Sequence, residues 1–169
     1  MNRESQFWNI FRLGVMGILL LYLQVIIAPD LSIFGIVPNI MLAFVIFLSM
    51  NVSFLASMTM LFIVGVMQDI TTPNLLGINT LCYIILAWIV SSYHESLDKE
   101  KFLSHLIIIG IVNLIYGFIF FIVQLVMTGY SIKLIPLFFF NIIYNIAFSI
   151  VFTFILSVLF RMKISLHED

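Results

Sequence analysis

The residue best placed to do chemistry in this chain is Asp69, an ionisable side chain set among long apolar runs. A carboxylate at the centre of a membrane helix costs about 3 kcal/mol on insertion scales, and less toward an end, so its presence asks for a reason. Three uses follow: a proton or cation site, a contact to a partner, or an anion beside the N-terminus of the next helix. The last is favoured by about 0.3 to 1 kcal/mol. No second acid or base stands ready inside the runs to form a relay, so a structural or partner role is expected ahead of transport. Around Asp69 the chain is punctuated. Thr72-Pro73 removes a backbone donor and turns Thr72 away from helix, while Gly65 and Gly77 are expected to permit close backbone approach on either side.

The other polar groups within apolar runs are uncharged. Asn141, Tyr144 and Asn145 fall at helical spacing, with Asn141 and Asn145 one turn apart on one face. Asn113, Gln124 and Gln24 add three more amides. In lipid such groups hydrogen-bond across helices for about 0.6 to 2 kcal/mol each, which makes them interhelical glue; a polar small-molecule pocket is the sharper alternative. Catalytic equipment is thin. His94, His105 and His167 have no acid at metal-ligand spacing inside the membrane, and there is no Gly-x-Ser-x-Gly elbow, His-Glu-x-x-His pair or phosphate-binding glycine loop. Neither an enzyme nor a cofactor is expected, and no metal site.

These side chains must be held by membrane helices. Of 169 residues, 63% are hydrophobic and 9% charged, with a mean hydropathy of +1.24, far from the soluble norm of about 45 to 50% apolar and 25% charged. The runs have helical length and no alternation, which excludes an outer-membrane barrel and leaves an all-α bundle in a single integral membrane domain over 1–169. A net charge of −1 offers no basic face for nucleic acid. Cys82 is alone within an apolar run and reads as a packing residue. The first run has no small-residue cleavage site, so it is expected to be a retained span and not a signal peptide.

Apolar runs at about 13–28, 37–50, 54–68, 76–93, 102–127 and 134–160 give six spans. Pro29-Asp30 closes the first, and Pro38 is expected at the first helical position of the second. Asn51-Val52-Ser53 is the only polar break between the second and third, and 37–66 as one helix would measure roughly 45 Å against a core of about 30 Å. Charge decides between the two. With six spans, Arg3, Arg12, Lys99, Lys101, Arg161 and Lys163 share one side and Lys133 alone takes the other, so the positive-inside rule selects six spans with both termini cytoplasmic. Asp69 to Leu75 then faces outward, and Ser96 or Asp98 caps the fifth helix on the cytoplasmic side. Gly14 with Gly17, Ser53 with Ser57, and Gly110 with Gly117 offer small surfaces for packing. Phe118, Phe120, Phe121 and 138–140 read as lipid-facing or interface bulk.

Pro38-Asn39 opening the second span, then Gly65-x-x-Gln68-Asp69 followed by Gly77 and a fourth span, resembles the bacterial rod shape-determining protein MreD family. Size and span layout carry the resemblance over the whole chain, and 36–83 carries its motifs. The resemblance implies a non-enzymatic subunit of the cell-elongation and peptidoglycan-synthesis machinery in the cytoplasmic membrane. It implies association with an MreC-like protein, a RodA-type glycosyltransferase and its penicillin-binding transpeptidase, with a homodimer also open. By match to the motif, Pro38, Asn39, Gly65, Asp69 and Gly77 are carried over as partner or structural positions, with Pro73 beside them. The cytoplasmic loop departs from the family, since Glu95, Asp98 and Glu100 dilute a segment that is more basic elsewhere. The implied fold is similar to the substrate-binding subunits of energy-coupling-factor vitamin transporters, so capture of a vitamin-sized ligand is the alternative function. The outward loops argue against it by offering Asp30, Asp69, Asn74 and Asn79 but few aromatics to stack a ring.

Overall fold

A short helix, α2 (Met41–Asn51), lies at the centre of the bundle in this computed structural model, which describes residues 3–72, 77–94, 102–129 and 134–164. Around it are α1 (Arg3–Ile26), α3 (Phe54–Thr71), α4 (Ile78–His94), α5 (Phe102–Thr128) and α6 (Leu134–Ile164). Every residue from Met41 to Ser49 is buried, because α2 packs against all five others. A helix apolar all round can only be lipid-facing or core. Here it is core.

At 1.5 Å per residue the 11 residues of α2 cover about 16 Å, roughly half of a hydrocarbon core. Immediately before α2, Pro38, Asn39 and Ile40 are buried in protein, where non-helical backbone is tolerated. The chain reaches α2 through a 3-10 turn (Ala28–Leu31) and a tight bend closed by paired backbone bonds between Ile33 and Ile36. Phe34 and Gly35 turn that bend with φ of 53° and 79°. The run 37–66 is divided: α2 stops at Asn51, and Ser57 Oγ in α3 donates to the Leu48 carbonyl across the break.

Pro38 does not occupy the first helical position expected of it. The helix starts three residues later, where Asn39 caps it: its side-chain oxygen accepts from the Met41 N–H and its carbonyl from the Leu42 N–H. At the other end of the polar stretch, α3 continues to Thr71, so Asp69 lies in its last turn and not in a loop. Pro73, the loop at 96–101, Lys133 and His167 lie outside the described residues.

Among the described residues, three helices are long and apolar enough to cross a membrane: Phe54–Thr71, Leu103–Met127 and Leu134–Leu159. The apolar parts of the others are shorter, at Phe11–Ile26, Met41–Asn51 and Ile78–Tyr93. Pro136 sits in the first turn of α6, where its missing N–H would have no helical acceptor. Of the expected small-residue surfaces, Gly17 lies against Phe44 and Val64, and Gly117 against Ile142, whereas Gly14 and Gly110 face open space.

Candidate functional site

Asp69 and Asn39 organise two adjoining polar clusters at one end of the bundle. The first joins α3 to α4. Asp69 Oδ1 accepts from the Asn79 N–H at 3.0 Å, and Oδ2 accepts from the Thr80 N–H at 3.0 Å and from Thr80 Oγ1 at 2.5 Å. Asn79 and Thr80 begin α4, whose first N–H groups lack helical acceptors and carry the positive end of the helix dipole. A single carboxylate therefore supplies what a capping side chain normally would. Asp69 is 3% exposed, and its three donors come from within the chain.

Two glycines make this possible by different means. A Cβ on Gly65 would stand 2.7 Å from Thr80 Cα, so only glycine lets α3 and α4 approach this closely. Gly77, which was expected to act in the same way, instead meets nothing within 4 Å and has a φ of +84°. Its contribution is a left-handed backbone that turns the chain into α4, where Leu81 N–H closes on the Gly77 carbonyl at 3.0 Å.

The second cluster solves the problem of starting α2 in a buried place. The N–H of Asn39 donates to Asn145 Oδ1 of α6 at 2.6 Å, and that of Ile40 to Gln24 Oε1 of α1 at 2.7 Å. The N–H of Met41 donates to Asn39 Oδ1 at 3.0 Å, while Leu42 and Ala43 close on the carbonyls of Asn39 and Ile40. Gln24 Nε2 returns a bond to the Pro38 carbonyl at 3.1 Å. Five successive N–H groups thus find acceptors without water. Tyr83 of α4 ties the clusters together, its hydroxyl lying 3.2 Å from the Asn39 side chain and donating to Gln68 Oε1 at 2.7 Å.

Of the amides expected to act between helices, Asn145 meets Asn39 and also donates to the Asn141 carbonyl and side-chain oxygens. Asn113 pairs with Ser149 of α6 in both directions, at 3.1 and 3.2 Å, well away from Asp69 in sequence and contacts. Gln124 is exposed and borders a cavity, together with Asn39, Asn141 and Asn145. Tyr144 donates to the Leu31 carbonyl at 2.5 Å, fastening α6 to the loop before α2. Gln24 and Tyr83 carry as much of this arrangement as the motif residues do. Gln24 was legible as a buried amide, but nothing in the spacing of Tyr83 distinguished it from other aromatics.

The cavity encloses about 360 Å3 between the 34–39 segment, α5 and α6, and a second of about 330 Å3 adjoins it along Asn39, Tyr116 and Phe120. The aromatics near the cavity come from helices and not only from the loops: α5 and α6 bring Phe120, Phe121 and Phe138 to its wall, with Phe121 and Phe138 at 5.1 Å between centroids. Phe118 and Phe139 do face outward, as lipid-facing bulk should. Among the described residues no three His, Cys, Asp or Glu side chains are gathered as metal ligands would be.

An all-helical bundle with long apolar helices, and with its buried polar groups used to lock helix ends, is a membrane protein. A family model, that of the rod shape-determining protein MreD, matches residues 5–163, and the chain belongs to this family. The protein therefore acts in the determination of rod shape. Neither a curated protein nor a solved structure matches the chain.

Proposed function

We propose that this protein is a non-enzymatic scaffold of the elongation machinery, crossing the cytoplasmic membrane six times with both termini inside. The observation that carries the reading is the use made of the polar groups. Asp69, Asn39, Gln68, Tyr83, Asn145 and Gln24 are bonded to one another or to helix ends, a pattern that fixes shape and leaves no activated nucleophile or relay. Its partners are an MreC-like protein, a RodA-type glycosyltransferase and the associated penicillin-binding transpeptidase. The apolar faces of α1, α5 and α6 are broad enough to meet their membrane helices.

Six crossings are supported by six separate helices and by the gathering of basic residues on one side. The likeness to substrate-binding subunits of energy-coupling-factor transporters rests on the family resemblance, and the cavity beside Asn39 suits it. Two measurements test the reading. A reporter fused after Asp169 should be active in the cytoplasm and silent outside, and the reverse overturns the topology. Affinity purification from membranes should recover the MreC-like protein, and failure to recover it from cells that contain both would refute the scaffold role.

A further inference from the structure

A groove lined by Phe34, Pro136, Leu137 and Phe140, enclosing about 500 Å3, runs beside the amide-bearing cavity and shares Phe34 and Leu137 with it. The two differ in chemistry. The groove is apolar, and its neighbours Ile135 and Phe139 are exposed on the surface of α6, as lipid-facing residues are. The cavity has Asn39, Asn141, Asn145 and Gln124 on its walls, together with Phe120, Phe121 and Phe138. Among the described residues, no Lys, Arg, His, Asp or Glu lines either one.

One of these amides, Asn141, keeps capacity for a ligand. Asn145 donates to Asn141 Oδ1, yet the Asn141 amide nitrogen donates to nothing among the described residues. A volume of about 360 Å3 falls within the range of about 300–1,000 Å3 usual for small-molecule sites. Amide donors and acceptors with aromatic faces suit a hydroxylated ring. A phosphate or carboxylate would be desolvated there with no counter-charge among the described lining residues, at a cost of several kcal/mol. The lipid-facing groove continuous with the cavity suits an acyl chain.

We propose that cavity and groove together hold a lipid with an uncharged, hydroxyl-bearing headgroup, of the glycosyl-diacylglycerol class. The sugar lies on Asn141 and Asn145 beneath Phe121 and Phe138, and one chain follows Leu137 and Phe140 into the bilayer. The inference goes beyond the scaffold role and requires only that the chain lie in a membrane.

Native mass spectrometry of the full chain, released from detergent with added lipid, tests it. Monoglucosyl diacylglycerol should be retained at concentrations about tenfold below those needed for phosphatidylglycerol with the same acyl chains, a ratio worth about 1.4 kcal/mol. Asn141→Ala should bring the two lipids to parity, and Leu137→Trp, which fills the junction, should remove retention of the glucolipid. Phe154→Ala, on an exposed part of α6 away from the groove, should change neither. Thermal melting of each variant separates lost binding from lost fold, and Asn141→Ala decides the matter if Leu137→Trp proves unstable. Equal retention of phosphatidylglycerol by the unaltered protein overturns the headgroup assignment. Methyl glucoside binding as tightly as the glucolipid overturns the lipid assignment, since the chain would then contribute nothing. Unchanged selectivity in Asn141→Ala overturns the placement.

Discussion

Replacing Asp69 by asparagine removes one acceptor oxygen and the negative charge while keeping the shape. The carboxylate now serves three donors with two oxygens. Whichever way an asparagine amide is turned, its nitrogen faces a backbone N–H of either Asn79 or Thr80. The gentler orientation keeps the Asn79 bond and lets the Thr80 hydroxyl rotate, leaving the Thr80 N–H unpaired. A buried donor left without a partner costs about 1–3 kcal/mol. Loss of an anion from the N-terminus of α4 adds about 0.3–1 kcal/mol, and up to about 2 in a buried geometry. The sum is about 1–5 kcal/mol, against roughly 1 kcal/mol at most for a solvated helix-end charge.

Cys82 offers the assay, being buried in α4 two residues beyond Thr80. Labelling of its thiol by a fluorogenic maleimide during heating reports the opening of this helix. Asp69→Asn should lower the midpoint by about 2–20 °C, taking about 2–4 °C per kcal/mol for a chain of this size. Thr80→Val should lower it less, because two N–H donors remain on the carboxylate. The two changes together should be non-additive by at least about 0.5 kcal/mol, as groups in direct contact are. A midpoint within about 1 °C of the unaltered protein, or strict additivity in the cycle, would refute the lock. If stability holds yet recovery of the MreC-like partner falls at matched abundance, Asp69 touches the partner directly and the inward lock is not its role.

Three further outcomes follow from the same geometry. Gly77→Asn should melt within about 1 °C of the unaltered protein and Gly77→Leu several degrees below it, because asparagine tolerates a left-handed backbone at which other residues lose about 1–2 kcal/mol. Gly65→Ala should destabilise by about 1–3 kcal/mol through forced separation of α3 and α4, and a neutral result in the Cys82 melt would contradict their close approach. Asn145→Leu should cost about 1–3 kcal/mol by stranding the Asn39 N–H, whereas Asn113→Leu should leave the Asn39 cluster intact; proton exchange at the Asn39 amide by NMR distinguishes them.

Much of the local structure was legible in the order of residues. Long apolar runs must be helices in lipid, and the breaks between them sit where Pro29, Asn51-Val52-Ser53 and Gly77 interrupt the pattern. Asp69 announced a constraint by its cost alone, since a carboxylate among such runs needs donors from somewhere. What could not be read was inside from outside. Lipid is as apolar as a protein core, so the run at 41–48, destined for the centre, has the same composition as the lipid-facing runs of α5 and α6. The start of α2 is later than Pro38 suggests because Asn39 takes the capping position, and what the local rule could not show is that the Asn39 and Ile40 N–H groups find acceptors in Asn145 and Gln24, 106 and 16 residues away in the chain. Gly65 and Gly77 looked alike in sequence, and only the packing separates a steric requirement from a conformational one. Sequence by itself determined that there would be helices, where they would break and that a buried acid would need partners. Tertiary structure decided which helix fills the core and which distant donors meet Asp69 and Asn39, because those choices depend on hydrogen bonds between helices that no local pattern encodes.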